Sequence, residues 1–178
     1  LQSVLKDKPK CMAPINGKPF IDILLDDCIN QGMRRFILCV GHLKEQVIEY
    51  LSNRNDCEIV FSEEDAPLGT GGALKNAKPH INSDPILVMN GDSYIKFSIQ
   101  SLIKKQHGHL ASILIYSQSN SSDFGHVELN KSGLLMSFNE KIEKNKSTFI
   151  NGGRYVFSNL IFDYFPSEKQ FSLEYHVF

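Results

Sequence analysis

Apolar residues first recur at helical spacing near the start of the chain. Ile21, Leu24, Leu25, Cys28 and Ile29 fall on one face of a predicted helix, which Pro19 opens and Gly32 closes. A short, nearly all-apolar run follows, Phe36-Ile37-Leu38-Cys39-Val40 before Gly41, and reads as a strand covered on both faces. Val47, Ile48 and Leu51 return to helical spacing over 44–54. Cys57 to Phe61 reads as a second strand, and a loop with a short helix is predicted over 65–78. Pro85 to Met89 is a third strand ending on Asn90-Gly91-Asp92, 98–107 a helix, and Ser112 to Tyr116 a fourth strand.

Helix and strand alternating at short intervals predict an α/β domain, a Rossmann-like, mostly parallel sheet flanked by helices. The pattern then changes. Val127-Glu128-Leu129, a Lys131-Ser132-Gly133 turn and Leu134 to Phe138 predict a β-hairpin. Phe149 to Phe157 reads as a further strand, interrupted at Gly152-Gly153, and Asn159 to Phe165 as a helix stopped by Pro166.

Composition adds exclusions. The 178 residues carry a net charge of −1, so no basic excess awaits a nucleic-acid backbone, whereas a small phosphorylated ligand needs only local charge. No stretch approaches the ~18 apolar residues of a membrane span, and Leu1-Gln2-Ser3-Val4 lacks the charged-then-apolar layout of a signal peptide. The four cysteines, at 11, 28, 39 and 57, lack metal-knuckle spacing. Cys28, Cys39 and Cys57 are expected as small core residues, which fits a reducing compartment.

Open α/β sheets bind ligands beyond the carboxyl ends of their strands. Leu68-Gly69-Thr70-Gly71-Gly72-Ala73-Leu74 lies at one such end. Its three glycines allow close approach of a ligand, and the following helix would present free N–H groups; a flexible turn is the plainer reading. Asn90-Gly91-Asp92 lies at another end, where Asp92 suits Mg²⁺ shared with phosphate oxygens, or is a turn aspartate. Lys10, before the first helix, is a point charge suited to phosphate. Glu140 and Lys141 pair a hydroxyl acceptor with a cation, and Asn151-Gly152-Gly153 offers an amide with bare backbone or else a strand bulge. His107 and His109 read as a helix end in solvent, and no nucleophile triad is present.

Together these segments resemble a known family. Pro9 to Pro19 is similar to the P-K-x-M-x-P-I-x-G-K-P segment of nucleotidyltransferases that make NDP-sugars, with Cys11 where the family often has proline. Leu68 to Leu74 resembles their L-G-T-[AG]-G-[AS]-L loop, Met89 to Asp92 their x-N-G-D, and Phe124-Gly125 their aromatic-glycine pair. Phe138 to Lys141 resembles F-x-E-K, and Asn151 to Phe157 resembles N-x-G-x-Y-x-F.

The resemblance implies a GT-A-like nucleotidyltransferase fold over residues 1–178 as a single domain, with the hairpin contributing to the sugar site. The family's first strand, its G-G-x-G-T-R-L phosphate loop and its C-terminal part, with a second metal aspartate, fall outside these residues. It implies Lys10 and Asp92 as catalytic residues, Asp92 as the Mg²⁺ ligand, and Lys10, Gly69, Thr70, Gly71 and Gly72 on the nucleotide. Gly91, Gly125, Glu140, Lys141, Asn151, Gly152 and Glu174 would line the sugar-phosphate site. Within the family the wording is similar to the branch that pairs GTP with D-glycero-D-manno-heptose 1-phosphate for bacterial surface glycans. Another nucleoside triphosphate and sugar 1-phosphate, or a non-catalytic binder of the same fold, stay open. A glycosyltransferase would carry an Asp-x-Asp pair, which Asp92-Ser93-Tyr94 lacks. The resemblance further implies a cytoplasmic enzyme without membrane or nucleic-acid partners, and leaves homo-oligomerisation open.

Overall fold

The computed structural model describes residues 7–118, 126–139 and 148–178. A 3-10 turn at Lys10–Met12 leads into a small hairpin, β1 (Pro14–Ile15) and β2 (Lys18–Pro19), whose turn places Asn16 and Gly17 at φ 50° and 83°. Both central residues of such a turn need positive φ, which Asn-Gly supplies. Helix α1 (Phe20–Asn30) buries Ile21, Leu24, Leu25 and Cys28. It ends where Gly32 takes φ 96°, with Met33 N donating to Cys28 O and Gly32 N to Ile29 O. That left-handed exit satisfies carbonyls the helix would otherwise leave open.

Strand β3 (Arg35–Val40), helix α2 (Lys44–Leu51) and strand β4 (Glu58–Glu63) form a right-sized β-α-β unit, with β3 and β4 parallel from Arg35↔Glu58 to Val40↔Glu63. Phe36, Leu38 and Val40 pack with Ile21, Leu25, Val47 and Leu51 into one hydrophobic core. The opposite face of β3 meets helix α3 (Gly69–Ala77), where Cys39 Sγ points at Ala73 O. The expectation that β3 is buried on both faces needs correction: only Val40 is buried, and Cys39 is exposed. Among the described residues β3 pairs on one edge alone, with β4. Cys28 is buried as expected, while Cys57 is half-buried.

A second core forms around strand β9 (Thr148–Phe157), whose Tyr155, Val156 and Phe157 are at most 1 % exposed. Strand β6 (Ala111–Gln118) runs antiparallel along one edge of β9. Its other edge is shared end to end by β5 (Ile86–Met89) and β7 (His126–Leu129), both antiparallel to it. Strand β8 (Leu135–Asn139) completes the expected hairpin with β7. Asn130 closes that turn, its Oδ1 accepting from Ser132 N and Leu134 N at 2.9 Å each.

The α/β architecture is as expected, but the strand directions are mixed rather than mostly parallel: β3–β4 is parallel, whereas every pairing around β9 is antiparallel. The alternation of elements predicts connections, and cannot show that a late strand inserts beside β5 and reverses the ladder. Helix α4 (Ile99–Gln106) is capped by Ser98, whose Oγ accepts from Ser101 N at 3.2 Å. The helix predicted from Asn159 is a 3-10 helix at Asn159–Tyr164, and a last short helix α5 (Leu173–His176) packs beside α3. Among the described residues no helix is long and apolar enough to cross a membrane.

Candidate active site

Two loops and one strand irregularity converge. Between Ile113↔Tyr155 and Ile115↔Asn151, β9 spends four residues where β6 spends two, so Asn151-Gly152-Gly153 is a bulge. Gly153 sits at φ 62°, and a Cβ there would lie 2.7 Å from Asn90 Nδ2. A Cβ on Gly152 would lie 2.9 Å from Leu114 O. Glycine therefore lets the bulge press against the turn after β5, where Asn90 N donates to Gly153 O at 2.9 Å. Asn151 secures the bulge from within, accepting from Gly153 N at 3.0 Å and donating to the Tyr155 hydroxyl at 2.6 Å.

Tyr155 continues the path. Its hydroxyl donates to Glu174 Oε1 at 3.1 Å, and burial pushes its pKa up. Glu174 Oε2 accepts from the Thr70 hydroxyl at 2.7 Å and from the Ser172 hydroxyl at 2.6 Å. Thr70 Oγ1 in turn accepts from Leu173 N at 2.9 Å. A continuous run of hydrogen bonds thus joins the glycine loop (Thr70), α5 (Glu174), β9 (Tyr155, Asn151, Gly153) and the turn bearing Asp92 (Asn90).

The glycine loop has a role that its sequence did not disclose. Gly71 N and Gly72 N donate to Phe171 O at 3.0 and 3.2 Å, so these amides at the start of α3 are not the free donors expected. A Cβ on Gly71 would lie 2.2 Å from the Phe171 ring, one on Gly72 2.3 Å from Lys169 O, and one on Gly69 2.6 Å from Phe171 O. The close approach that these glycines permit is to the 169–171 backbone and ring. Gly69 and Thr70 remain exposed, and Gly71 and Gly72 are buried.

Gly91 and Asp92 are exposed at the end of β5, and among the described residues nothing lies within 4 Å of a Cβ built on Gly91. Among the described residues Asp92 forms no ion pair. Lys10 is exposed in its 3-10 turn. Burial raises the thiol pKa of its neighbour Cys11, and the Asp92 charge adds to the rise. Gly125, Glu140 and Lys141 lie outside the described residues. A hollow lined by Met12, Lys18, Asp22, Asp26, Tyr50 and Arg54 shares none of these residues, and its charges pair with one another.

Sequence reading missed Arg154. Its side chain is 0 % exposed, and its Nη1 and Nη2 reach the carbonyls of Asn90 (3.3 Å) and Ser93 (2.6 Å). The available signal was a lone cation inside the apolar run from Phe149 to Phe157. Tyr155, which links Asn151 to Glu174, stood in a recognised motif without an assigned role.

Known proteins repeat this chain along nearly its whole length. D-glycero-alpha-D-manno-heptose 1-phosphate guanylyltransferase of Campylobacter jejuni is 36 % identical over 176 residues, covering 98 % of this chain and 77 % of that protein. Among solved structures, HddC from Yersinia pseudotuberculosis superposes with a TM-score of 0.86 at 31 % identity, over 95 % of this chain and 75 % of that one. The same protein complexed with GMP-PN gives 0.84 at 29 % identity, with the same coverage of both chains. Residues 2–175 match the family model of nucleotidyl transferases, and with the converging loops described above this chain belongs to that family.

Proposed function

We propose that this chain joins GTP to D-glycero-D-manno-heptose 1-phosphate, giving GDP-heptose and pyrophosphate. The observation that carries the choice of substrates is its likeness in sequence to guanylyltransferases of that heptose. An oxygen of the sugar 1-phosphate attacks the α-phosphorus of GTP, the bond to the β-phosphate oxygen breaks, and pyrophosphate leaves. The attacking oxygen is already ionised near neutral pH, so no protein nucleophile or obligatory base is needed.

The protein's work is to bring two anions together and hold them in line. Lys10, exposed in its 3-10 turn, would lie on the triphosphate. The exposed Gly69 and Thr70 would meet the nucleotide, with Gly71 and Gly72 fixing the loop beneath them. The Asn151-Gly152 bulge, Gly91 and Glu174 would line the sugar-phosphate side with Gly125, Glu140 and Lys141. Asn151 and Glu174 already spend their side-chain atoms on Tyr155, Gly153, Thr70 and Ser172, so both shape the site as much as they touch a ligand.

Asp92 would hold Mg²⁺. Among the described residues no three His, Cys, Asp or Glu side chains gather into a protein-only cage. One exposed carboxylate beside a phosphate site is the donor set Mg²⁺ accepts, since it keeps waters and substrate phosphates as its other ligands. Bound there, the ion would neutralise charge between phosphate oxygens.

The test mixes protein, Mg²⁺, GTP and heptose 1-phosphate and follows pyrophosphate. UTP, CTP, dTTP and ATP, and mannose and glucose 1-phosphates, run beside them. Release with the named pair is expected; release with none rejects the enzyme, and preference for another pair replaces only the substrates. Lys10→Ala should lower turnover by about 100-fold or more, the scale of losing one charge-stabilising donor, with an unchanged circular dichroism spectrum. Near-parental turnover would remove Lys10 from the chemistry.

A further inference from the structure

Arg154 is a buried cation without an ion pair among the described residues. Its neighbours in sequence, Gly153 and Tyr155 to Phe157, are buried too. Removing a guanidinium from water costs several kcal/mol unless its protons find acceptors. Nη1 donates to Gly153 O at 2.9 Å, Ser93 Oγ at 3.2 Å and Asn90 O at 3.3 Å. Nη2 donates to Ser93 O at 2.6 Å. The ring of Phe97 lies 5.9 Å from the guanidinium carbon. Among the described residues Nε has no hydrogen-bond partner.

These acceptors are not scattered. Asn90 and Ser93 are the two ends of the turn whose middle is Gly91-Asp92. One planar, rigid fork therefore ties both ends of the turn to β9, a geometry lysine's single ammonium cannot reproduce. Gly91 and Asp92 themselves are exposed and gain no comparable anchor among the described residues. The charge is also felt at Asp92: burial lowers the Arg154 pKa, and Cys28, Asp27, Tyr155 and Asp92 oppose that fall. The guanidinium thus spans the loop that carries the carboxylate.

We propose that Arg154 is the positioning residue for Asp92, fixing the Asn90–Ser93 turn so that the carboxylate is already placed for a nucleotide-bound divalent cation. It touches neither substrate. It acts through the loop, by removing conformations that the turn would otherwise sample before the cation binds. The inference rests on the reading of Asp92 as the metal carboxylate, so the experiment separates the two.

Mn²⁺ serves as the probe. Its binding to the protein–GTP complex is read by electron paramagnetic resonance, and melting temperature and the Mg²⁺ dependence of pyrophosphate release are read in parallel. Arg154→Met keeps the length and removes the fork and the charge. It should melt below the parental temperature, because the carbonyls of Asn90 and Ser93 lose their donor. Its Mn²⁺ binding should weaken at least tenfold, half-maximal release should need correspondingly more Mg²⁺, and KM for the sugar phosphate should change less than twofold. Arg154→Lys keeps the charge without the fork and should weaken Mn²⁺ binding at least threefold; it carries the test if R154M does not fold. Parental Mn²⁺ binding in the folded variants reduces Arg154 to a structural brace and overturns the proposal. Asp92→Asn is the separate arm: if it binds Mn²⁺ as the parent does, the metal role of Asp92 fails, and the proposal for Arg154 falls with it.

Discussion

At the scale of single residues, glycines divide into two kinds that look alike in sequence. Gly71 is needed because the Phe171 ring occupies the space of its missing side chain, whereas the space beside Gly91 is open. Gly71→Ala must displace that ring, so it should destabilise the protein by roughly 1–3 kcal/mol, the usual scale of overpacking, read as a lower urea midpoint. Gly91→Ala should leave stability within about 0.5 kcal/mol and still slow pyrophosphate release about tenfold, if a phosphate approaches that turn. A parental rate for G91A would mean that nothing does. The glycine-rich loop was legible as a place of close approach. What approaches it was not, because Phe171 lies far along the chain and no local pattern connects the two. Arg154 escaped notice for a related reason. A single arginine in a strand-like run reads as a solvent-facing residue until the fold shows it fully buried.

Elements add a second layer, the ties between helices and loops that periodicity does not encode. Arg54, after α2, pairs with Asp22 and Asp26 on α1 and with Asp56. Its fork is only 13 % exposed, so it crosses between elements under partial cover. Arg54→Met should cost about 1–2 kcal/mol, above an exposed pair and below a fully buried one, measured by chemical unfolding at neutral pH. The pH dependence follows from the carboxylates. Burial works against Asp26, yet hydrogen bonds from Lys18 and Arg54 bring its pKa below the ordinary 3.8; at Asp56 the bond from Arg54 does the same. A folded pKa below the unfolded one gives stability that is complete above about 3.8 and disappears as pH falls through the lowered value. Melting temperature should therefore drop as pH falls below about 4, and R54M should lose less over the same window. An equal drop in both proteins would assign the acid sensitivity elsewhere. Helix and strand positions themselves were legible nearly throughout, from α1 and its Gly32 exit to the Asn130–Gly133 turn. Strand direction was not: the antiparallel ladder of β5 and β6 on β9 depends on a strand that arrives much later in the chain.

Across the whole molecule Cys28 Sγ of α1 and Met89 Sδ of β5, 3.5 Å apart, join the first helix to the β9 sheet, and the proposed site draws on more than one element. Its nucleotide loop belongs to α3, while its bulge belongs to β9, so something must hold the two in register. Glu174 does so by receiving Thr70 on one side and Tyr155 on the other. If the carboxylate is a true link, the two donors cannot be independent. Thr70→Val and Tyr155→Phe should each cost about 1 kcal/mol of stability. Their double variant should depart from the sum by at least about 0.5 kcal/mol, since both act on one acceptor. The same cycle measured on kcat/KM should show coupling of like sign, because a loosened Glu174 lets the loop and the bulge drift apart and each substrate then meets a misplaced partner. Strict additivity in both measurements would leave Thr70 and Tyr155 as two unrelated contacts, and the nucleotide and sugar halves of the site would have to be aligned by the sheet alone.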